Sequence, residues 1–112
     1  MSRLLQSYLH TLRKQWGLSQ PELADLLGVS PSALCKVETL ARRPSVNLML
    51  GAAVIFGHSV EEIFPAAYRD IEDAILKRAC AEHKRLERQT DPTSIQRLRL
   101  LTEIIERSEA RN

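Results

Sequence analysis

Residues 19–38 read SQPELADLLGVSPSALCKVE, and this stretch decides the fold of the chain. Ser19 and Glu22 have the spacing of a capping box, in which a hydroxyl and a carboxylate each accept a hydrogen bond from a backbone amide at a helix start. Gly28 stands where a left-handed residue would end that helix, because glycine adopts positive φ without steric cost. Ser30, followed by proline, suits the N-cap and first position of a second helix. The stretch therefore predicts two short helices joined by a tight turn.

The spacing of apolar residues gives each of these helices an inward and an outward face. Leu23, Leu26 and Leu27 form the inward stripe of the first helix, at the period that an α-helix requires. Leu34 and Val37 do the same for the second helix. The residues outside the second stripe, which are expected to face outward, are Pro31, Ser32, Ala33, Cys35 and Lys36. Since a major groove accepts such small and basic side chains, the pattern predicts a helix-turn-helix that binds double-stranded DNA.

Three more helices are expected around the motif. The first should cover about residues 2–16, with a buried stripe that consists of Leu4, Leu5, Tyr8, Leu9 and Leu12. The fourth begins at Ser45 and ends at Gly57; it is apolar nearly all round, so it should be the central helix of the core. A short fifth helix, capped by Ser59, closes an all-α domain at residues 1–65.

Residues 66–112 are expected to form an interaction region of two helices. The first is long and highly charged, with a narrow apolar seam. Asp91 and Pro92 suit the N-cap and the first position of the second. The apolar stripe of this last helix consists of Ile95, Leu98, Leu101, Ile104 and Ile105, broadened by Leu100. Because two helices alone cannot build a core, the stripe should either fold back on the first domain or pair with a second chain, and we favour a homodimer.

The net charge says little about the binding partner. The formal net charge of the chain is +2, and residues 1–65 hold 6 basic and 5 acidic groups, against 10 and 9 in residues 66–112. Neither region is strongly basic. DNA binding must therefore depend on where the charges lie and not on how many there are.

Several classes of function find no support in the sequence. The two cysteines form no Cys-x-x-Cys motif and the histidines are scattered over different elements, so we expect no disulfide, metal or cofactor. No grouping of side chains suggests catalysis, and we expect no enzyme. The lack of a long apolar run and of a signal peptide predicts a cytoplasmic protein.

About residues 4–65 resemble the Cro and phage-repressor type of helix-turn-helix regulators, also called XRE-like. The segments that match, besides the motif itself, are LRKQWGL at residues 12–18, RRPS at residues 42–45 and FGHSVEEIF at residues 56–64. They occur in the order that members of the family show. The resemblance implies a five-helix repressor-like domain and sequence-specific binding to DNA.

The resemblance also implies roles for individual residues. Base edges are met by the start of the recognition helix and by the residue one turn later, which is Lys36 here. An ammonium group can bond guanine O6 and N7; the alternatives for this lysine are a phosphate contact or simple solvation. Gln20 should bond phosphate at a helix N-terminus, and Arg42 and Arg43 should reach phosphates from the loop after the recognition helix. The complete set expected at the DNA is Gln20, Ser30, Pro31, Ser32, Ala33, Lys36, Arg42 and Arg43.

The same comparison implies one internal ion pair and shows one departure. Arg13 and Glu38 match a pair that forms a salt bridge in many relatives, which would link the first helix to the recognition helix. Thr39 and Leu40 stand where relatives carry a glycine. Neither residue favours positive φ, so the following loop is expected to take another path. Trp16 stands where a small or basic residue is commoner; it could pack against the fifth helix or the tail, or lie near the DNA backbone.

The sequence leaves three functions open. The first is a regulator of transcription whose two copies read half-sites about 34 Å apart in an inverted repeat. The second is an antitoxin that represses its own operon while its tail binds a toxin. The third is a protein-interaction module that has lost DNA binding. We favour the first. A redox switch at Cys35 is a weaker hypothesis, because one exposed cysteine beside a lysine is usually inert.

Overall fold

The computed structural model describes residues 7–111, which form seven α-helices and no strand. The helices are α1 (Leu9–Gln15), α2 (Gln20–Leu27), α3 (Pro31–Glu38), α4 (Val46–Phe56), α5 (Val60–Ile63), α6 (Pro65–Leu86) and α7 (Pro92–Arg111). The all-α class, with five helices followed by two C-terminal helices, is confirmed. The two helices of the motif are α2 and α3, so α3 corresponds to the recognition helix that the resemblance implies.

The chain divides into two compact units, and the division falls inside α6, between Asp70 and Ile71. We call the part that ends at Asp70 the N-terminal unit and the part that begins at Ile71 the C-terminal hairpin. The boundary that the sequence suggested, after residue 65, lies instead in the first turn of α6.

Serine and aspartate caps define the helix starts. Ser19 Oγ accepts from the Glu22 amide at 3.2 Å, and the Glu22 carboxylate accepts from the Ser19 amide at 2.8 Å. Ser59 and Glu62 form a second capping box at the start of α5. In both boxes the hydrogen bonds from the serine, its backbone amide first, lower the pKa of the glutamate. The other caps are Ser30 for α3, Ser45 for α4 and Asp91 for α7.

The core of the N-terminal unit collects apolar side chains from all five of its short helices and the first turn of α6. The largest fully buried side chains are Phe64, Leu9, Leu23, Leu34 and Ile63. At Gly51, α4 approaches α2 closely: a Cβ at this position would lie 2.9 Å from Leu27 Cδ2. A glycine therefore lets these two helices pack closely without displacing Leu27.

Although α4 is apolar nearly all round, only part of its surface is buried. Leu48 and Ala52 lie in the core, whereas Val46, Leu50 and Val54 are 64%, 56% and 83% exposed. The exposed residues are four positions apart, so they share one face of the helix. The expectation of a central core helix therefore holds for one side of α4 only, where Met49, Ile55 and Phe56 pack against the core beside Leu48 and Ala52.

The helix α1 is shorter than the sequence suggested. It begins at Leu9, and Tyr8, which was expected in the buried stripe, is 55% exposed. The Tyr8 amide donates to the carbonyl of Ile63 at 2.8 Å, so the backbone at Tyr8 is bonded to the end of α5 and not to a preceding helical turn. Leu4 and Leu5, which belong to the same predicted stripe, lie outside the described residues.

The C-terminal hairpin consists of the later part of α6 and of α7. Thr102 Oγ1 lies 3.3 Å from His83 Nε2, and Arg111 donates to Glu72 at 3.1 Å. Because residues early in α6 meet residues late in α7, the two helices are antiparallel. The buried residues of the hairpin are Ala79, Leu86, Ser94 and Ser108.

The apolar stripe predicted for α7 is partly covered. Its half-buried members are Leu98, Leu101, Ile104 and Ile105. Ile95 and Leu100 are 47% and 55% exposed. The hairpin thus buries few side chains, and the expectation that two helices alone cannot build a core stays a prediction.

Candidate nucleic-acid interface

The recognition helix α3 is anchored at its start and along its inner face. Ser30 Oγ accepts from the Ala33 amide at 3.1 Å, and Pro31 occupies the first turn, where a missing N–H costs nothing. Leu34 and Val37 are 0% and 3% exposed. The helix therefore keeps one orientation in the unit, while its opposite face can contact a ligand.

The outward face of α3 is narrower than the sequence suggested. Pro31, Ser32 and Lys36 are exposed, but Ala33 and Cys35 are half-buried. Ser32 and Lys36 are four positions apart, so they lie on one face in successive turns. Among the described residues, neither of these two side chains has a hydrogen-bond or ion-pair partner. Both are therefore available to a groove.

A buried network surrounds Glu38 at the end of α3. Its side chain is 2% exposed, and that of Arg13 is 6% exposed. Arg13 donates from Nε to Oε2 at 2.7 Å and from Nη2 to Oε1 at 3.0 Å. Gln20 Nε2 donates to Oε1 at 2.9 Å, and His10 Nδ1 lies 3.4 Å from the same oxygen. One carboxylate thus joins α1, α2 and α3.

Arg13 has further partners, and the network keeps Glu38 ionised. Arg13 Nη1 donates to the carbonyl of Leu18 at 2.8 Å, and Nη2 lies 3.2 Å from His10 Nδ1. Burial by itself raises the pKa of Glu38, but the hydrogen bonds from Arg13, Gln20 and His10 to the charged carboxylate outweigh burial. The pKa of Glu38 therefore lies below its usual value, and the arginine faces a full negative charge.

The side chain of Gln20 is occupied within the protein. It is half-buried and donates to Glu38. In the first turn of α2 the capping box uses the amides of Ser19 and Glu22, and Pro21 has no amide hydrogen. Of the described amides in this turn, the backbone N–H of Gln20 is the one left for an anion. A phosphate contact at Gln20 remains a prediction, with the backbone as the donor.

The loop after α3 closes the helix in the way that a glycine usually does. Leu40 has a φ of 66°, and the amides of Ala41 and Arg42 donate to the Lys36 carbonyl at 2.8 and 3.2 Å. The left-handed conformation costs a non-glycine residue about 1–2 kcal/mol, which these bonds to the helix end offset. Leu40 thus adopts a conformation that its residue type disfavours, and a path that differs from that of relatives stays a prediction.

Three cations at the end of α3 and in this loop, Lys36, Arg42 and Arg43, form what we call the basic patch. All three residues are exposed. The Arg42 side chain has no hydrogen-bond or ion-pair partner among residues 7–111. Arg43, in contrast, donates from Nη2 to Asp70 Oδ2 in the second turn of α6. The patch therefore contains two open cations and one that is already paired.

Trp16 lies beside an apolar depression of the N-terminal unit. Its side chain is 66% exposed. Together with Leu18, Ile55 and Phe56 it lines an open cavity of about 310 Å³. Its apolar neighbours thus include the last residues of α4, an arrangement that the sequence alternatives for this residue did not include.

The two cysteines are free thiols, Cys35 half-buried and Cys80 exposed. The redox hypothesis for Cys35 assumed an outward thiol, so this half-buried position weakens it. Within residues 7–111, no three His, Cys, Asp or Glu side chains are grouped as a metal site requires. No helix in that range is long and apolar enough to cross a membrane.

Two contacts around α3 had no signal in the sequence. The pairs Gln20–Glu38 and Arg43–Asp70 join residues 18 and 27 positions apart, far beyond the spacing of neighbours on one helix. Charge could not have singled out Asp70, because residues 66–112 hold 9 acidic groups. Such pairs become visible only when the helices are packed.

Comparison with known proteins agrees with this geometry. A family model described as a helix-turn-helix domain matches residues 5–63, which include α1 to α5 and end before α6. No curated protein and no solved structure gives a match. The family match covers more than half of the chain and contains the whole of the recognition helix. The chain therefore belongs to this family of helix-turn-helix domains.

Proposed function

We propose that this chain is a sequence-specific DNA-binding regulator of transcription of the XRE-like type, which acts in the cytoplasm and is not an enzyme. The observation that carries the proposal is the recognition helix. The inner face of α3 is anchored by buried Leu34 and Val37 and by the Glu38 network, while Ser32 and Lys36 stand exposed and unpaired among the described residues. A rigid helix with open polar side chains suits readout in a major groove.

The residues of this surface have two proposed roles, which are contact with base edges and contact with backbone phosphates. The Lys36 ammonium can donate to guanine O6 and N7, and the Ser32 hydroxyl can donate or accept at either kind of base pair. Pro31 and the half-buried Ala33 can add apolar contact with a thymine methyl group. The Ser30 hydroxyl already caps the helix, so Ser30 acts mainly by fixing where α3 begins.

Phosphate contacts would fix the register of the protein on the duplex. Arg42 is exposed and open, and the Gln20 backbone N–H lies at the positive end of α2. The Gln20 N–H lies at the start of α2, and Lys36 lies in the last turn of α3. Arg42 lies in the following loop, and its amide donates to the Lys36 carbonyl. Such contacts carry affinity that decreases with salt but little sequence information.

The test is selection of bound sequences from a randomised duplex pool, with the wild-type chain and with Lys36→Ala. We expect the wild type to enrich a defined sequence, and Lys36→Ala to relax the preference at one or two base pairs. Lys77→Ala removes an exposed lysine from α6 and is the matched control, which should select the wild-type sequence. If the wild type enriches no sequence, the proposal is wrong.

We further propose that the chain is a homodimer that pairs through the C-terminal hairpin and binds an inverted repeat. The support is apolar surface: Ile71, Ile75, Ile95 and Leu100 are 53%, 43%, 47% and 55% exposed on two helices with a small core of their own. The half-buried stripe residues of α7 lie close to Ile95 and Leu100 in the sequence; they are Leu98, Leu101, Ile104 and Ile105. Two linked recognition helices would also multiply discrimination against nonspecific sites.

Sedimentation equilibrium of Leu100→Glu tests the dimer. A glutamate on this exposed position would have to be buried at the interface without a partner, so we expect a monomer at concentrations where the wild type is a dimer. Leu26 was expected in the inward stripe of α2 but is 60% exposed, so Leu26→Glu is tolerated in the N-terminal unit and should remain a dimer. A monomeric wild type contradicts the dimer, and a constant complex with one small protein would favour the antitoxin function instead.

A further inference from the structure

The ion pair between Arg43 and Asp70 joins the basic patch to α6. Its side chains are 48% and 33% exposed, so solvent reaches both charges. Arg43 directly follows Arg42, whose amide is bonded to the Lys36 carbonyl at the end of α3. The carboxylate of Asp70 therefore lies at the edge of the surface that we assign to DNA.

We propose that Asp70 competes with DNA phosphate for Arg43 and thereby limits the affinity of the protein for DNA. The proposal depends on the proposed function, since it concerns the same surface. Asp70 and a phosphate oxygen offer the same kind of charge to the guanidinium. In the free protein Asp70 holds Arg43; on DNA the arginine either stays with Asp70 and adds no phosphate contact, or exchanges one anion for the other at little net gain.

The exposure of the pair makes this exchange possible. An ion pair that is open to solvent gains little free energy from its contact, so Asp70 cannot hold Arg43 permanently. A buried pair such as Arg13–Glu38, at 6% and 2% exposure, would not be exchanged. Asp70 also places a negative charge near the approaching backbone. Both effects weaken the binding of DNA and reduce the number of counterions that binding releases.

The experiment measures the binding of the full chain to a mixed-sequence duplex over a series of salt concentrations. We expect Asp70→Asn to bind up to about fivefold more tightly, the factor that corresponds to release of a surface ion pair. The slope of log K against log salt should become steeper by up to about 0.9, the value for one added phosphate contact. Asp73→Asn removes an exposed carboxylate from the next turn of α6 and is the matched control.

The decisive comparison repeats Asp70→Asn in an Arg43→Ala background. If Asp70 acts through Arg43, the gain in affinity and the steeper slope disappear there. A gain that persists without Arg43, or one equal to that of Asp73→Asn, overturns the inference but leaves DNA binding intact. If the wild-type chain does not bind DNA at low salt, the proposed function itself fails. Denaturation of each variant checks that the change in binding does not reflect a change in fold.

Discussion

The N-terminal unit and the C-terminal hairpin use apolar residues differently. Both expose large apolar side chains, so exposure alone does not separate them. The difference is in the core: the N-terminal unit completely buries Phe64, Leu9, Leu23, Leu34 and Ile63, whereas the buried residues of the hairpin are two serines, Ala79 and Leu86. A unit with a complete core can be stable by itself. The small core of the hairpin is the reason for our proposal that the hairpin pairs with a second chain.

The ion pairs of the two regions differ in the same way. Glu38 and Arg13 are 2% and 6% exposed, and their network joins three helices. Glu72 and Arg111 of the hairpin are 26% and 42% exposed and join the beginning of the hairpin to its end. Since water screens the second pair and not the first, the two should contribute to stability very differently.

The largest effect is expected from breaking the buried network. Glu38→Ala leaves the Arg13 guanidinium buried without its carboxylate, which should cost about 3–5 kcal/mol of unfolding free energy. Urea denaturation followed by the fluorescence of Trp16, the single tryptophan, measures the N-terminal unit directly. Arg111→Ala, the matched change in the hairpin, is followed by far-UV circular dichroism and should cost about 0–1 kcal/mol. Similar costs for the two variants would contradict the comparison.

A smaller effect is expected when protein concentration changes. If the hairpin pairs two chains, its unfolding is linked to dissociation, and its midpoint should rise with concentration. About 1 kcal/mol shifts the midpoint of a small domain by about 4–8 °C. Far-UV circular dichroism follows the helices of both regions, while Trp16 fluorescence follows the N-terminal unit. We expect a concentration-dependent transition by dichroism that Leu100→Glu abolishes; a transition that is independent of concentration would argue against pairing.

The acid sensitivity of the N-terminal unit should come in part from Glu38. Its pKa in the folded protein lies below the usual 4.5, so the unfolded chain takes up the proton first as the pH falls. The stabilisation is therefore complete above about pH 4.5 and is lost as the pH falls through the lower, folded-state pKa. As the pH falls below about 4.5, Glu38→Gln should lose less stability than the wild type. An equal loss in both proteins would show that other carboxyl groups dominate.

The smallest effect concerns the turn after the recognition helix. Leu40→Gly relieves a left-handed residue, which gains about 1–2 kcal/mol, but it adds freedom to the unfolded chain, which costs about 0.5–1 kcal/mol. We expect a net stabilisation of about 0–1.5 kcal/mol, which urea denaturation measures. Gly28→Ala makes the opposite change, because it puts a side chain on a residue with a φ of 73°. No atom lies within 4 Å of the added Cβ, so the variant should destabilise the protein through backbone strain and not through a clash. A clear loss of stability in Leu40→Gly would show that the half-buried leucine side chain contributes more than its backbone strain costs.

Local features of the fold could be predicted from the sequence because they depend on neighbours in the chain. The capping box of Ser19 and Glu22 and the cap at Asp91 have their partners three residues away. The buried face of α4 could not be predicted, because a helix that is apolar all round contains no information about which side faces the core. The conformation of Leu40 could not be predicted either, because hydrogen bonds to the Lys36 carbonyl override its local preference.

In the candidate site, too, features that depend on chain neighbours could be predicted and features that depend on helix packing could not. The helical period identified the exposed side of Ser32 and Lys36, but it overestimated the exposure of Ala33 and Cys35, which flank the buried Leu34. The bond from Gln20 to Glu38 depends on how α2 and α3 pack. Period alone therefore locates the recognition surface, and packing decides which of its side chains are available to DNA.

The architecture of the selected DNA site tests the central claim, that the N-terminal unit reads a half-site and the hairpin joins two readers. Sequences should be selected in parallel with the wild type and with Leu100→Glu, at two salt concentrations. We predict an inverted repeat with half-site centres about one helical turn apart for the wild type, and single half-sites of the same sequence for the variant. The same symmetric site for both proteins would contradict pairing through the hairpin, and no enrichment for either would contradict sequence-specific binding.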